Sequence, residues 1–250
     1  TRGVMHQYKY VGASWPAPSC ARVIYEYYGG SKGRLVRFKD MVTDADKCDS
    51  AHFSKEEVLD PKGMVLLSFI MDPRTGFGRY RDFRISNYQL MDCLIEHLRV
   101  MPVDEIVELE DLQERVRLYH AHREPFAKMM TDHSWTEGAA VITDLRGLEE
   151  TYVGNRHIIY ALYPEQNVSV RLFDGKDRQN CVFSVGYSIL NRTATVDVGK
   201  LMLKYGGGGH RRVGTCQVPF EEADRVLKEI IEEINEQNWQ MLNIAGLEGF

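Results

Sequence analysis

Long apolar runs are missing from this 250-residue sequence: the longest, Met64 to Met71, falls far short of the roughly 20 residues a bilayer span requires. No basic-then-apolar leader opens the chain, so the expectation is a soluble, cytoplasmic protein that meets no membrane. Cysteine is scarce and scattered. Cys20, Cys48, Cys93, Cys181 and Cys216 form no C-x-x-C pair and are odd in number, which suits reduced intracellular thiols better than a disulfide framework or a zinc site. Excess positive charge is lacking too. With 31 Lys and Arg against 36 Asp and Glu, the formal net charge is −5, so there is no global field to hold long nucleic acid, and any anionic substrate must be met by a local cluster. Thr1 is not an initiator methionine and the chain runs straight into Tyr8-Lys9-Tyr10, which reads as a processed chain or as part of something longer.

What is present is ordinary in bulk. At 44% hydrophobic, 10% aromatic and 27% charged residues, the composition is that of a globular protein with one large or two smaller domains, and it excludes disorder, collagen and a disulfide mini-scaffold. Residues 14–30 read as a helix: Pro18 suits its first turn, Ala21, Val23, Ile24 and Tyr27 can form one buried stripe, and Gly29-Gly30 ends it. A second helix is expected over about 34–45, then an apolar helix or strand at Val65 to Met71 and an arginine-rich loop from Pro73 to Arg84. Ser86 and Asn87 can cap a helix whose Leu90, Cys93, Leu94 and Leu98 recur at three and four.

From Val103 to about Thr131 runs the longest helical pattern, with Pro125 marking a kink or a new start and a thin apolar stripe that suits a helix bridging two domains. Beyond it the texture changes to short β-branched runs. Ala139 to Thr143, His157 to Leu162, Asn167 to Phe173 and Cys181 to Tyr187 read as strands. A short helix over 196–205, a glycine run, a strand through Thr215 to Val218 and an amphipathic helix from Pro219 to about Trp239 complete the chain.

The most specific segment is Tyr205-Gly-Gly-Gly-Gly-His-Arg-Arg-Val-Gly214. Four consecutive glycines are costly in backbone entropy and make sense where N–H groups must approach a ligand with no side chain between, while His210, Arg211 and Arg212 add donors and charge. The segment describes an anion nest, against the plainer reading of a flexible turn. In the loop Asp72 to Arg84, Arg74, Arg79, Arg81 and Arg84 alternate with Phe77, Tyr80 and Phe83. This pattern fits either phosphate forks with base-stacking rings, or solvated surface and a dimer contact. Thr43-Asp44-Ala-Asp46-Lys-Cys-Asp49-Ser50 gathers three acids, which suit a hard divalent cation or simply a solvated helix end. His120 and His122 at i and i+2 point to different faces of a helix and read as exposed, and Met129-Met130 reads as hinge or core packing.

Gly206 to His210 with Gly214 resembles the Gly-Gly-Gly-Gly-His-x-x-Ala-Ala-Gly signature of the DHH-associated domain, the C-terminal half of DHH-family phosphoesterases. Val213 and Thr215 depart from it. Ser188 to Thr193 and Asp197-Val-Gly-Lys200 resemble the stretch that precedes those glycines, and Gly12 to Tyr28 resembles the helix after the Asp-His-His motif of the catalytic half. The resemblance implies an α/β protein of two α/β domains joined by a linker helix. Residues 1–102 would be the C-terminal part of a parallel-sheet DHH domain, incomplete here, 103–135 the linker, and 136–250 a smaller mixed-sheet DHH-associated domain.

It also implies a two-ion Mn2+ (or Mg2+) site to which this chain contributes Asp46, whose Asp-Lys step resembles the family's, or Asp49, with Asp72 third. Arg192, Gly207, Gly208, Gly209, His210 and Arg74 would grip a substrate phosphate across an interdomain cleft, His210 also acting as a catalytic donor to the phosphoryl oxygens. The remaining metal motifs, including Asp-His-His, have no match: the eight histidines include no adjacent pair and no aspartate precedes residue 14, so these motifs are expected ahead of Thr1. The activity implied is metal-dependent hydrolysis of phosphodiester or phosphoanhydride bonds in a short oligonucleotide, nucleotide, cyclic dinucleotide or polyphosphate, by a possible homodimer. The alternative is a non-catalytic nucleotide- or nucleic-acid-binding module with a degenerate DHH domain.

Overall fold

The structure, a computed structural model, describes the backbone of residues 3–5, 12–149 and 151–247 and the side chains of 13–149 and 151–238. Tyr8 to Tyr10 lie outside the described residues. The chain divides into two compact units, Thr1–Val116 and Arg117–Phe250.

In the first unit, β1 (Gly3–Met5) and β2 (Gly12–Ser14) pair antiparallel. These are its only strands among the described residues; the parallel sheet expected for residues 1–102 has no counterpart there. Helix α1 (Cys20–Tyr27) starts where Ser19 Oγ accepts the Arg22 N–H at 3.0 Å, and the chain leaves it through Gly29 at φ 99°, a left-handed value open to glycine at little cost. The buried stripe expected on α1 is corrected. Tyr25 is the buried residue, whereas Ile24 is 54% and Tyr27 39% exposed.

Two short 3-10 turns at Gly30–Lys32 and Val36–Phe38 delay α2 to Lys39–Asp49. After α3 (Lys55–Leu59), the run that sequence left open between helix and strand is α4 (Gly63–Met71). It buries Val65, Leu66, Leu67, Phe69 and Ile70, too many directions for an amphipathic pattern to show. Helix α5 (Asn87–His97) begins in a capping box: Ser86 Oγ accepts from Gln89 N, and the Gln89 side chain accepts from Ser86 N.

The pattern over 103–131 is three helices, α6 (Val103–Ile106), α7 (Glu110–Ala121) and α8 (Arg123–Asp132). Pro125 lies in the first turn of α8, where its missing N–H costs no hydrogen bond, so it marks a start. The boundary between the units falls inside α7, within 103–135.

The second unit holds one six-stranded sheet in the order β3-β4-β5-β6-β8-β7, built from β3 (Ser134–Glu137), β4 (Ala140–Asp144), β5 (Val168–Asp174), β6 (Cys181–Tyr187), β7 (Gly208–His210) and β8 (Val213–Val218). Only β4 and β5 run parallel. A parallel pair needs a crossover, and the crossover corrects another expectation: Ile158–Leu162 is helix α9, not a strand. Four of its five residues are buried, so its sequence is a continuous apolar run that periodicity does not distinguish from a strand. The edge strand β3 went unread because it is mostly exposed.

Helices α10 (Val198–Leu203) and α11 (Phe220–Leu247) cover one sheet face, where Val170, Leu172, Phe183, Val185, Leu201, Ile230 and Ile234 are fully buried. No helix among the described residues is long and apolar enough to cross a membrane.

Candidate active site

In the second unit, the glycine run is explained residue by residue. Gly206 sits at φ 73°, and the N–H groups of Gly206 and Gly207 return to the Leu203 and Met202 carbonyls, closing α10. A Cβ on Gly207 would strike the Thr215 carbonyl, and one on Gly209 the backbone of Val213 and Gly214. Helix α10 rides so close that a Cβ on Gly199 would lie 3.0 Å from the Gly209 carbonyl oxygen. Gly208 is different: nothing lies within 4 Å of where its Cβ would be. The left-handed turn accounts for Gly206 and packing for Gly207 and Gly209, which leaves Gly208 as the glycine of the run with neither requirement and with open space beside its backbone.

His210, Arg211 and Arg212 follow, all exposed, with no side-chain hydrogen bond or ion pair among the described residues. The Arg211 and Arg212 carbonyls accept from Val198 and Tyr187, so the bend is pinned to α10 and β6 while the three side chains stay available. Arg192 stands in the β6–α10 loop with its Nε on the Ile189 carbonyl at 2.8 Å. That loop is turned by Ser188, whose Oγ accepts the Leu190 and Asn191 N–H groups, and Asp197 caps α10 by accepting from Lys200 N.

In the first unit, the Asp46 carboxylate accepts from Ser19 Oγ at 2.6 Å on one oxygen and from Arg22 at 2.9 and 2.7 Å on the other. Asp49 is exposed and forms no ion pair among the described residues. Asp44, beside Asp40, Glu57 and Asp104 in a groove of about 780 Å3, titrates above the ordinary range, chiefly through burial, with Lys47 opposing.

The arginine loop is built into the unit. Arg74 is held by Asp72 at 2.7 and 2.8 Å, and Arg84 by Asp111 at 2.6 Å. Arg115, fully buried, binds the Ile85 carbonyl and Asn87 and lies 4.1 Å over the Phe83 ring. Phe77 is core, 2% exposed, which corrects its reading as a stacking ring. His122 is not simply exposed either: its Nδ1 accepts the Val153 N–H at 3.0 Å. Met129 and Met130 are buried, as packing residues should be.

A divalent-metal centre needs several oxygen or nitrogen donors converging. The described residues do not supply one: no three His, Cys, Asp or Glu side chains are grouped so that they could hold a metal ion, and Asp46 already spends both oxygens on Arg22 and Ser19. Of the expected ligands Asp46, Asp49 and Asp72, Asp49 is the one with no hydrogen bond or ion pair among the described residues. Sequence reading also passed over Arg171 in β5, because a single arginine in a strand carries no motif.

A mixed α/β unit presenting an open glycine backbone beside exposed cations is the construction of proteins that take phosphate-bearing ligands. The chain is similar to the solved structure of PggH, a pGpG-specific phosphodiesterase from Vibrio cholerae. The two share 48% identity over 88% of this chain and 74% of that one, with a TM-score of 0.78. The chain belongs to the DHH-family phosphoesterases. A DHH domain attributed to a family of ribosomal proteins shares the fold at 14% identity and TM-score 0.50, over 81% of this chain and 52% of that one. An exopolyphosphatase-related protein from Bacteroides fragilis aligns at 14% identity and TM-score 0.40, over 80% and 57%. No family profile and no curated protein matches the chain.

Proposed function

We propose that the protein is a cytoplasmic, Mn2+- or Mg2+-dependent phosphodiesterase that splits a short 5′-phosphorylated dinucleotide of the pGpG kind into mononucleotides, adding one water. The observation that carries this reading is the open Gly208 backbone beside His210, Arg211 and Arg212, in a chain 48% identical to an enzyme whose name specifies that substrate. Gly208 offers open backbone to a phosphate while Gly207 and Gly209 hold it against β8, Arg192 adds charge, and His210 donates to the phosphoryl oxygens as charge builds in the transition state. From the first unit, Asp49 or Asp46 supplies a carboxylate to the cations, Asp46 only by releasing Arg22. Five free thiols suit a reducing compartment.

Turnover of a panel with Mn2+ tests the substrate: a 5′-phosphorylated GG dinucleotide, a cyclic dinucleotide and polyphosphate. The linear dinucleotide should be cleaved fastest; faster release from either of the others would overturn the assignment.

A further inference from the structure

Strand register places four residues in one row across the second sheet. Arg171 of β5 faces Ser184 of β6, Ser184 faces Thr215 of β8, and Thr215 faces Gly208 of β7. Directly opposed residues share a face, and this is the face away from α10 and α11, since the alternate residues Val170, Leu172, Phe183, Val185 and Cys216 are the buried ones. The Ser184 and Thr215 hydroxyls make no hydrogen bond among the described residues, so the row is polar and open from the glycine end.

At its far end Arg171 is partly buried and has no carboxylate partner among the described residues. Its side-chain hydrogen bond there runs from Nη2 to the Arg156 carbonyl at 3.4 Å. The groups that act on it are the neutral Tyr160, itself tied to Ser169 at 2.9 Å, and a second cation, Arg156. Burial pushes the Arg171 guanidinium below its ordinary range, and Arg156 adds to this. A largely desolvated cation with no carboxylate partner is unfavourable until an anion arrives. Three strand spacings put Gly208 and Arg171 roughly 14 Å apart, too far for one phosphate to touch both.

We propose that Arg171 is a second anion-binding residue of the substrate site, taking a phosphate that the glycine cradle does not hold, so that the sheet selects ligands with two separated phosphates. The inference rests on the dinucleotide reading above and deepens it: a 5′-phosphorylated dinucleotide carries two phosphates, its dephosphorylated counterpart one.

The test is equilibrium binding, in EDTA to prevent turnover, of pGpG and GpG to the wild type, Arg171→Gln and Arg171→Lys. The wild type should bind pGpG about tenfold or more tighter than GpG, and Arg171→Gln should bring the two together while leaving GpG affinity unchanged. Arg171→Lys, which keeps charge without the fork, should fall between, and it decides the matter if Arg171→Gln does not fold. An unchanged pGpG/GpG ratio in the variant, or an equal loss for both ligands, would overturn the proposal. If neither dinucleotide binds the wild type, the substrate reading fails by itself. Inorganic phosphate then decides Arg171: its thermal stabilisation of the protein must shrink in the variant, and undiminished stabilisation refutes the role.

Discussion

Arg22 clasps Asp46 with two nitrogens, at 2.9 and 2.7 Å, while Ser19 takes the other carboxylate oxygen at 2.6 Å, and this ties the start of α1 to the middle of α2. Both partners are mostly shielded from water. Asp46→Asn should therefore lower the stability of the first unit by about 1.5–3 kcal/mol, the range for charge-assisted hydrogen bonds. Asp49→Asn, on an exposed side chain, should leave stability within about 0.5 kcal/mol of wild type. If Asp49 meets the cation, its variant loses metal-dependent turnover without unfolding. Denaturant melts of both variants beside Mn2+ titrations check this, and an Asp46 variant of unchanged stability would contradict the clasp.

The glycine run gives a paired prediction. Gly209→Ala forces a methyl onto the backbone of β8 and should destabilise the second unit by several kcal/mol or prevent folding. Gly208→Ala meets open space and should melt like wild type while binding phosphate-bearing ligands more weakly. Equal melting of the two variants would show that the close approach of β7 to β8 is misread.

Acid should loosen the second unit through Asp144. Burial would raise this carboxyl, but the hydrogen bonds and charge of Arg146, 2.6 Å away, outweigh burial and hold it below the ordinary value of 3.8. Because the folded value is the lower one, the stabilisation is complete above the unfolded value and disappears as pH falls through the folded one. Unfolding free energies between about pH 5 and pH 2 should fall less steeply in Asp144→Asn than in wild type; parallel slopes would argue against the pair.

Thiol labelling reads the core directly. Cys20 and Cys93 are exposed and should react first at neutral pH. Cys181 and Cys216 are buried on neighbouring strands, and burial pushes both thiols up to about 11, so they should stay unlabelled until the second unit unfolds. Mass spectrometry of partly labelled protein distinguishes the two classes, and early modification of Cys216 would contradict the sheet packing.

Much of this was legible in the sequence where one local rule sufficed. Ser86 caps its helix by side-chain chemistry that acts within a few residues, and Cys181 to Tyr187 alternates plainly enough to fix its strand. The helix α9 was not legible, because full burial erases the difference between a helical and an extended apolar run. Nor was the engagement of Asp46, whose partners lie 24 and 27 residues away. The row from Gly208 to Arg171 exists only through strand register, which pairs residues that no spacing relates.

The most direct test of the central claim is GMP release from a 5′-phosphorylated GG dinucleotide with Mn2+, by wild type and by His210→Ala. His210 is exposed and makes no side-chain hydrogen bond among the described residues, so the variant should fold normally. Wild type should convert each dinucleotide and one water into two GMP, and His210→Ala should turn over about 100-fold more slowly, as expected for loss of a donor to developing charge. No GMP from the wild type, or equal turnover by a folded His210→Ala, would contradict the account.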